Sequence, residues 1–321
     1  MRTVVTGGAG HVGTNLVNAL LADGHDVHVV DLRPAPPGHR AGWTQTDVRD
    51  EAAMRRACEG AEVVYHLAAV ISVVGERGGR VRSVNVDGTR SVAAAALHSR
   101  VRRLVHCSSV HAFDLRAGGV VDESCPRALA GDLPAYDRSK AAGEEQIRRA
   151  VDRGLDAVCL NPTGIIGPDD ERPSRMGTVL RALWRGRMPA IVDGGFDWVD
   201  VRDVVLALRS AAERGVTGES YLVPGHRLSV AELAHLAGVS PRTAPTWLVK
   251  SVAPLATAVA RCRPDGSALM PTREALHALH SFPVVDGAKA ARDLGHRPRP
   301  MAETLADLRA YFFAAQESAR T

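Results

Sequence analysis

Over the first two-thirds of the chain, short apolar runs alternate with longer amphipathic ones. The runs Thr3–Thr6, Asp26–Val30, Trp43–Thr46, Val63–Leu67, Arg103–Cys107 and Asp156–Leu160 are mostly rich in Val and Leu. Several lack alternation at every second residue, as strands buried on both faces do. Between them, His11–Asp23, Glu51–Cys58, Val81–Ser99 and Ala135–Arg153 carry helical spacing. Gly24, Gly60 and Gly154 stand just past three of these segments, where a left-handed residue ends a helix. Strand and helix alternating at this spacing predict βαβ units and an open parallel sheet with helices on both faces.

After Pro162 the pattern loosens. Gly164–Pro173 and Asp193–Gly195 read as loops, Ser174–Arg187, Asp203–Arg214 and Ser229–Ala237 as helices, and Glu219–Val223 as a strand. From Pro245 onward we expect helices only, ending with Met301–Ala315. The expected division is a larger α/β domain over 1–165, joined by about 196–223, and a smaller, mostly helical lobe over 166–195 and 224–321.

The chain has 321 residues, enough for a sizeable core, and its 45% hydrophobic and 24% charged composition is that of an ordinary globular protein. The net charge of +4 comes without a block of like charge, so we expect no nucleic-acid partner. The basic residues are almost all arginine, the lysines being Lys140, Lys250 and Lys289. Cys58, Cys107, Cys125, Cys159 and Cys262 are widely spaced and form no CxxC, which points to free thiols in a reducing compartment and to no metal site. No signal-like or membrane-spanning run is apparent, so the expectation is a soluble cytoplasmic protein without a membrane partner.

Thr6-Gly7-Gly8-Ala9-Gly10-His11-Val12-Gly13 follows the first strand and opens the first helix. Gly7 permits a tight turn, Gly10 lets backbone approach a pyrophosphate, and Gly13 allows close packing of the helix. The free N–H groups and dipole of the helix N-terminus then favour an anion. Asp31 ends the second strand, where an acid accepts hydrogen bonds from ribose hydroxyls and repels a 2′-phosphate. That favours NAD. Arg33, which can pair with a 2′-phosphate, keeps NADP as the second option.

Tyr136 and Lys140 stand four apart in a helical pattern and so share one face. An ammonium near a phenol stabilises the phenolate, which suits that tyrosine to pass a proton to or from a carbonyl oxygen. Ser108 and Ser109 close the fifth strand, at the sheet edge where ligands bind in such folds. A hydroxyl there can hold a substrate oxygen, or the pair can simply form a turn.

Together these residues resemble the short-chain dehydrogenase/reductase superfamily in its extended branch, the NAD-dependent epimerase/dehydratase family, densely over 3–204. The resemblance implies a Rossmann-type doubly wound sheet with a variable C-terminal substrate lobe. It matches the glycine loop, including His11 and Val12, and assigns an adenine-contacting acid to Asp47, beside Val48. It also matches the strand-four signature in His66-Leu67-Ala68-Ala69, Asn85 on the next helix, and Pro162 and Thr163 in the segment lining the nicotinamide. By the same resemblance Tyr136 is the acid/base, Lys140 tunes it and holds the ribose, and Ser109 orients the carbonyl. Extended members often pair through two helices, here Val81–Ser99 and Ala135–Arg153, so a homodimer is an expectation.

The chain makes three departures from the pattern. His11 stands where an aromatic or aliphatic residue is usual, which we expect to affect packing. His111 and Ala112 replace the Asp-Glu pair that dehydratases of this branch carry. Phe196 stands where sugar-nucleotide members often place a diphosphate-binding arginine; Arg172, Arg175 and Arg202 are the possible substitutes. His111 and Phe196 are the expected substrate-side residues. The segment 162–168 resembles dihydroflavonol reductases and 3β-hydroxysteroid dehydrogenases, and Trp247-Leu248-Val249 and Val252–Ala260 are candidate linings for a lipophilic pocket, or helical core. The leading expectation is an NAD(P)-dependent ketoreductase or secondary-alcohol dehydrogenase acting on a small substrate. A nucleotide-sugar 4-epimerase with tightly bound NAD is the alternative, and a non-catalytic dinucleotide sensor the third reading.

Overall fold

The computed structural model describes residues 1–117, 119–188, 190–262, 272–281 and 283–317. Its centre is a parallel sheet of seven strands, in the order Ser220–Val223, Ala157–Pro162, Arg103–Cys107, Val63–His66, Arg2–Thr6, Asp26–Asp31 and Gly42–Gln45. The chain starts in the middle, at Arg2–Thr6, and winds outward in both directions, as expected for a doubly wound sheet. Each face is buried under its own layer. On one side His11–Ala22 and Val201–Arg214 pack Leu16, Val17, Leu20, Val204 and Leu208 against Val5, Val29, Val105 and Val158. On the other, Glu51–Cys58, Thr89–His98 and Ala135–Val151 pack Met54, Val92, Ala96 and Ile147 against Val4, Val30, Val64 and Leu104. This explains the strand pattern: Val63–His66 and Ala157–Pro162 are buried at every residue. Gly24, Gly60 and Gly154 all adopt positive φ just past their helices.

Several segments depart from the sequence expectation. The helix expected over Val81–Ser99 holds a π-turn, Ser83–Gly88, between Arg80–Arg82 and Thr89–His98. The π-turn carries Asn85, whose amide reaches the backbone N–H and carbonyl of Val70 and the Ser139 hydroxyl, so the extra residue aims a tie across the site. The apolar stripes of this helix and of Ala135–Val151 pack on the chain's own sheet.

Three small sheets lie beyond the main one. Gly164–Ile166, expected as loop, pairs with Gly195–Asp200, which also pairs antiparallel with His226–Ser229. Residues 196–200, expected to return to the main sheet, therefore belong to this separate sheet. The helix Val201–Arg214 and strand Ser220–Val223 do rejoin the main one. Ala190–Val192 pairs with Arg242–Ala244, and Val120–Val121 with Val284–Val285. The last pair interrupts a tail expected to hold only helices. Its helices are Thr246–Cys262, Arg273–Ser281, Ala288–Leu294 and Met301–Glu317. Among the described thiols, Cys58, Cys107, Cys125 and Cys159 are free, and the Cys262 side chain lies outside the described residues.

Candidate active site

The glycine loop turns at Gly7, with φ of 74°, and Gly7 N donates to Val30 O at 2.8 Å. A Cβ at Gly7 would sit 2.7 Å from Ala68 N, and one at Gly13 would sit 2.7 Å from Gly8 Cα and closer still to the Gly7 carbonyl. Both glycines are therefore steric requirements of the turn. No side chain caps the helix His11–Ala22, and its first turn carries no acid. That leaves N–H donors at a positive helix end facing a loop only backbone can line, which fits the pyrophosphate of a dinucleotide.

Asp31 anchors the loop. One carboxylate oxygen accepts from Ala9 N at 3.0 Å and the other from Arg33 N at 3.0 Å. The Arg33 guanidinium donates to Ala9 O at 2.7 Å and lies 3.8 Å from the Asp31 carboxylate. Asp47 pairs with Arg49, and that hydrogen-bonded guanidinium holds its carboxyl below the usual range. Val48 is buried beside Gly88.

His11 does more than pack. Its Nε2 lies 2.9 Å from Pro168 O, which Asn15 Nδ2 also reaches at 3.2 Å. The loop after Gly164–Ile166 is thereby held against the glycine helix. Asp169, Asp170, Glu171 and Arg172 then line a small cavity with Ala9, Gly10, His11, Thr14 and Arg33. The acids of this loop carried no recognisable spacing in the sequence. Arg202 is engaged by Asp200 and Asp307, so it is not free to bind a diphosphate.

Ser109, Tyr136 and Lys140 come together at the C-terminal edge of the sheet. The Ser109 hydroxyl accepts from His111 N at 3.2 Å and lies beside the Tyr136 phenol, close enough to oppose the rise in its pKa. Ser108, its neighbour, is buried with its hydroxyl unpartnered and makes no such contact. This geometry separates the two serines. Lys140 Nζ donates to Cys107 O at 2.9 Å. Burial pushes the phenol of Tyr136 above its usual range, with the neighbouring Ser109 hydroxyl pulling the other way, and burial lowers the Lys140 ammonium. The expectation that Lys140 lowers the Tyr136 pKa is not met in this structure: the ammonium is spent on a carbonyl and desolvation dominates. His66 and His106 stack near Lys140 with centroids 5.1 Å apart, and burial drives the pKa of His66 down to about 3.

His111 borders the same site. Its ring is edge-on to Tyr136 at 5.8 Å and stacked on Phe196 at 5.5 Å, with Nδ1 3.3 Å from the Asp137 carboxylate. Phe196 is itself buried, in van der Waals company with Trp198. Pro162 ends the buried strand Ala157–Pro162, and Thr163 follows it, donating to Asp197 at 2.6 Å. Leu67, Ala68 and Ala69 leave the fourth strand over Gly7.

Sequence reasoning missed a support beneath Ser109. Asn161 Nδ2 donates to Ser109 O at 2.9 Å and to the Glu144 carboxylate. The other Glu144 oxygen is 3.2 Å from Arg127. Glu144 stands four residues after Lys140, so its place on the same helix face was the available signal. A groove of ≈ 640 Å³ between Leu236–Gly238 and the last helix contains none of the candidate site residues.

The doubly wound sheet, glycine loop and Ser–Tyr–Lys cluster define a class, and comparison agrees. The chain belongs to the NAD dependent epimerase/dehydratase family, whose model matches residues 3–223. It is an NAD(P)-dependent oxidoreductase of the extended short-chain dehydrogenase/reductase type. It is 35% identical to sterol demethylase protein B of Methylococcus capsulatus, over 97% of this chain and 98% of that protein. It is 30% identical to a putative dihydroflavonol 4-reductase of Synechocystis, over 94% and 92%. A crystal structure of gox2253 superposes with a TM-score of 0.81 at 29% identity, covering 98% of both chains.

Proposed function

We propose that this enzyme transfers hydride between a nicotinamide dinucleotide and the carbonyl or secondary alcohol of a small lipophilic substrate. The observation that carries the reading is the Ser109–Tyr136–Lys140 cluster bordered by His111 and by Phe196, a phenyl ring that cannot itself pair with a diphosphate. The names of the sterol- and flavonol-related relatives support the same substrate class.

A bound dinucleotide supplies or accepts the hydride. The uncapped helix end at His11–Gly13 and the loop Gly7–Gly10 hold its pyrophosphate, with Leu67–Ala69, Val48 and Asp47 on the adenine side and Pro162 and Thr163 toward the nicotinamide. Asp31 faces the adenosine ribose. Arg33 is already bound to Ala9 O and close to Asp31, which favours NAD over NADP. In the reductive direction Ser109 donates a hydrogen bond to the substrate oxygen and Tyr136 gives it a proton. Burial keeps that phenol protonated, the form a general acid requires. Lys140 lies on the same helix face, placed to hold the ribose and the phenolate left behind. Residues 1–165, with the returning segment 201–223, form the cofactor side, and the remainder closes over substrate.

The test is titration with NADH and NADPH, then a screen of lipophilic ketones and alcohols beside UDP- and dTDP-sugars for cofactor-linked absorbance change. Net oxidation or reduction with a ketone or alcohol is expected. Conversion of a sugar nucleotide with no net change in cofactor would replace this reading by an epimerase. Tyr136→Phe should lower turnover by about 10²–10⁴ while leaving cofactor binding intact; no turnover in either protein would favour a sensor.

A further inference from the structure

The helix Thr246–Cys262 was a candidate pocket lining, and the structure gives it two apolar sides. Val249 and Ala253 face inward and pack with Leu276, Val192 and Ala244, on the ribbon formed by Ala190–Val192 and Arg242–Ala244. Trp247 and Leu255 are each 70% exposed, Val252 45%, Leu248 44% and Val259 36%. At 100° per residue these five side chains fall within about 140° of one another on the outward face. A soluble surface rarely leaves so many large apolar groups contiguous unless something covers them.

The charges identify the covering partner. Residues 233–262 contain no Asp or Glu, while Arg242 and Lys250, both exposed, carry positive charge. Lys250 is exposed at the edge of the apolar arc. A second copy seated face to face would bring these like charges together. An anionic bilayer surface satisfies both features at once: acyl chains take the apolar arc, headgroups take the cations, and a tryptophan sits at the boundary. Among the described residues no helix is long and apolar enough to cross a membrane, so the contact lies in the surface plane.

We propose that Thr246–Cys262 seats this enzyme on an anionic lipid surface through Trp247, Leu248, Val252, Leu255 and Val259, reversing the expectation of no membrane partner. Two hydrogen bonds connect the helix, by way of Arg273–Ser281, to the loop after the fourth strand. Arg273 N donates to Thr257 Oγ1 at 3.1 Å, and the neighbouring Glu274 accepts from Gly75 N at 3.2 Å. Gly75 lies in the loop that leaves the fourth strand, where Ile71 is also 70% exposed. The seating does not depend on which reaction the site performs.

The experiment is flotation of the full chain with vesicles of phosphatidylcholine alone and of phosphatidylcholine with phosphatidylglycerol. Binding to the anionic vesicles is expected, weakening as salt rises, with a blue shift in tryptophan emission, since Trp247 is the one strongly exposed tryptophan among the four. Trp247→Ser with Leu255→Ser should lower that binding about tenfold or more while leaving NADH binding and the circular dichroism spectrum unchanged. The proposal is overturned if neither vesicle binds, or if the double variant binds as well as the parent. It is overturned equally if the variant abolishes a self-associated dimer while no vesicle binding exists.

Discussion

The buried pair beneath Ser109 makes a quantitative prediction. Glu144 is 7% exposed, and its carboxylate is shared between Asn161 and Arg127. Arg127, 31% exposed, also donates to Ser220 Oγ at 3.0 Å and lies 3.9 Å over the Phe113 ring. Arg127→Met keeps bulk on Phe113 but leaves a buried carboxylate without its cation. Breaking such a pair costs about 3–5 kcal/mol when fully buried; with one partner a third exposed, the lower end applies, about 3 kcal/mol. Glu144→Gln keeps an acceptor for Asn161 and leaves an arginine that water can reach, so it should cost about 1 kcal/mol. The double variant removes both charges and should recover about 2 kcal/mol relative to Arg127→Met alone. Urea unfolding of the parent, both single variants and the double variant measures the cycle. Turnover should follow it, because the same Asn161 amide holds the Ser109 carbonyl. A double variant no more stable than Arg127→Met would refute the reasoning, showing that the cost lies in lost packing and not in a stranded charge.

Three further outcomes are expected. Asp31→Asn should lower the preference for NADH over NADPH about tenfold, read as the ratio of dissociation constants, since a ratio cancels general loosening of the loop. Gly13→Ala should abolish cofactor binding and cost about 1–3 kcal/mol, because its Cβ would sit 2.7 Å from Gly8 Cα; unchanged NADH affinity would contradict it. Burial raises the Tyr136 pKa, so its proton is kept until pH rises well past the usual phenol range. The kcat/KM for carbonyl reduction should then be flat from about pH 7 to 9, while that for alcohol oxidation climbs. A reductive fall across that range, absent in Tyr136→Phe, would count against this.

The main sheet was legible because its strands are buried on both faces and read as unbroken apolar runs, as at Val63–His66. Gly195–Asp200 was not, although every residue in it is buried, because Asp197 and Asp200 interrupt the run. Their burial is supported by Thr163 and Arg202, partners that no local pattern announces. The π-turn at Ser83–Gly88 was invisible for another reason: one extra residue per turn barely disturbs a helical period. At the site, Tyr136 and Lys140 could be paired from their spacing. The surroundings that single out Ser109 from Ser108 needed coordinates, as did Arg127, seventeen residues before Glu144 and one arginine among many.

Asp197 has a mechanical meaning. The chain passes from the main sheet to the small one at Thr163, and again just past Ser220–Val223, at Gly225. One Asp197 oxygen accepts from both places, from Thr163 Oγ1 at 2.6 Å and from Gly225 N at 2.6 Å. A single carboxylate therefore ties both of these crossings together. Parting the small sheet from the main one at these crossings would break both bonds at once, so the pair resists opening as a unit.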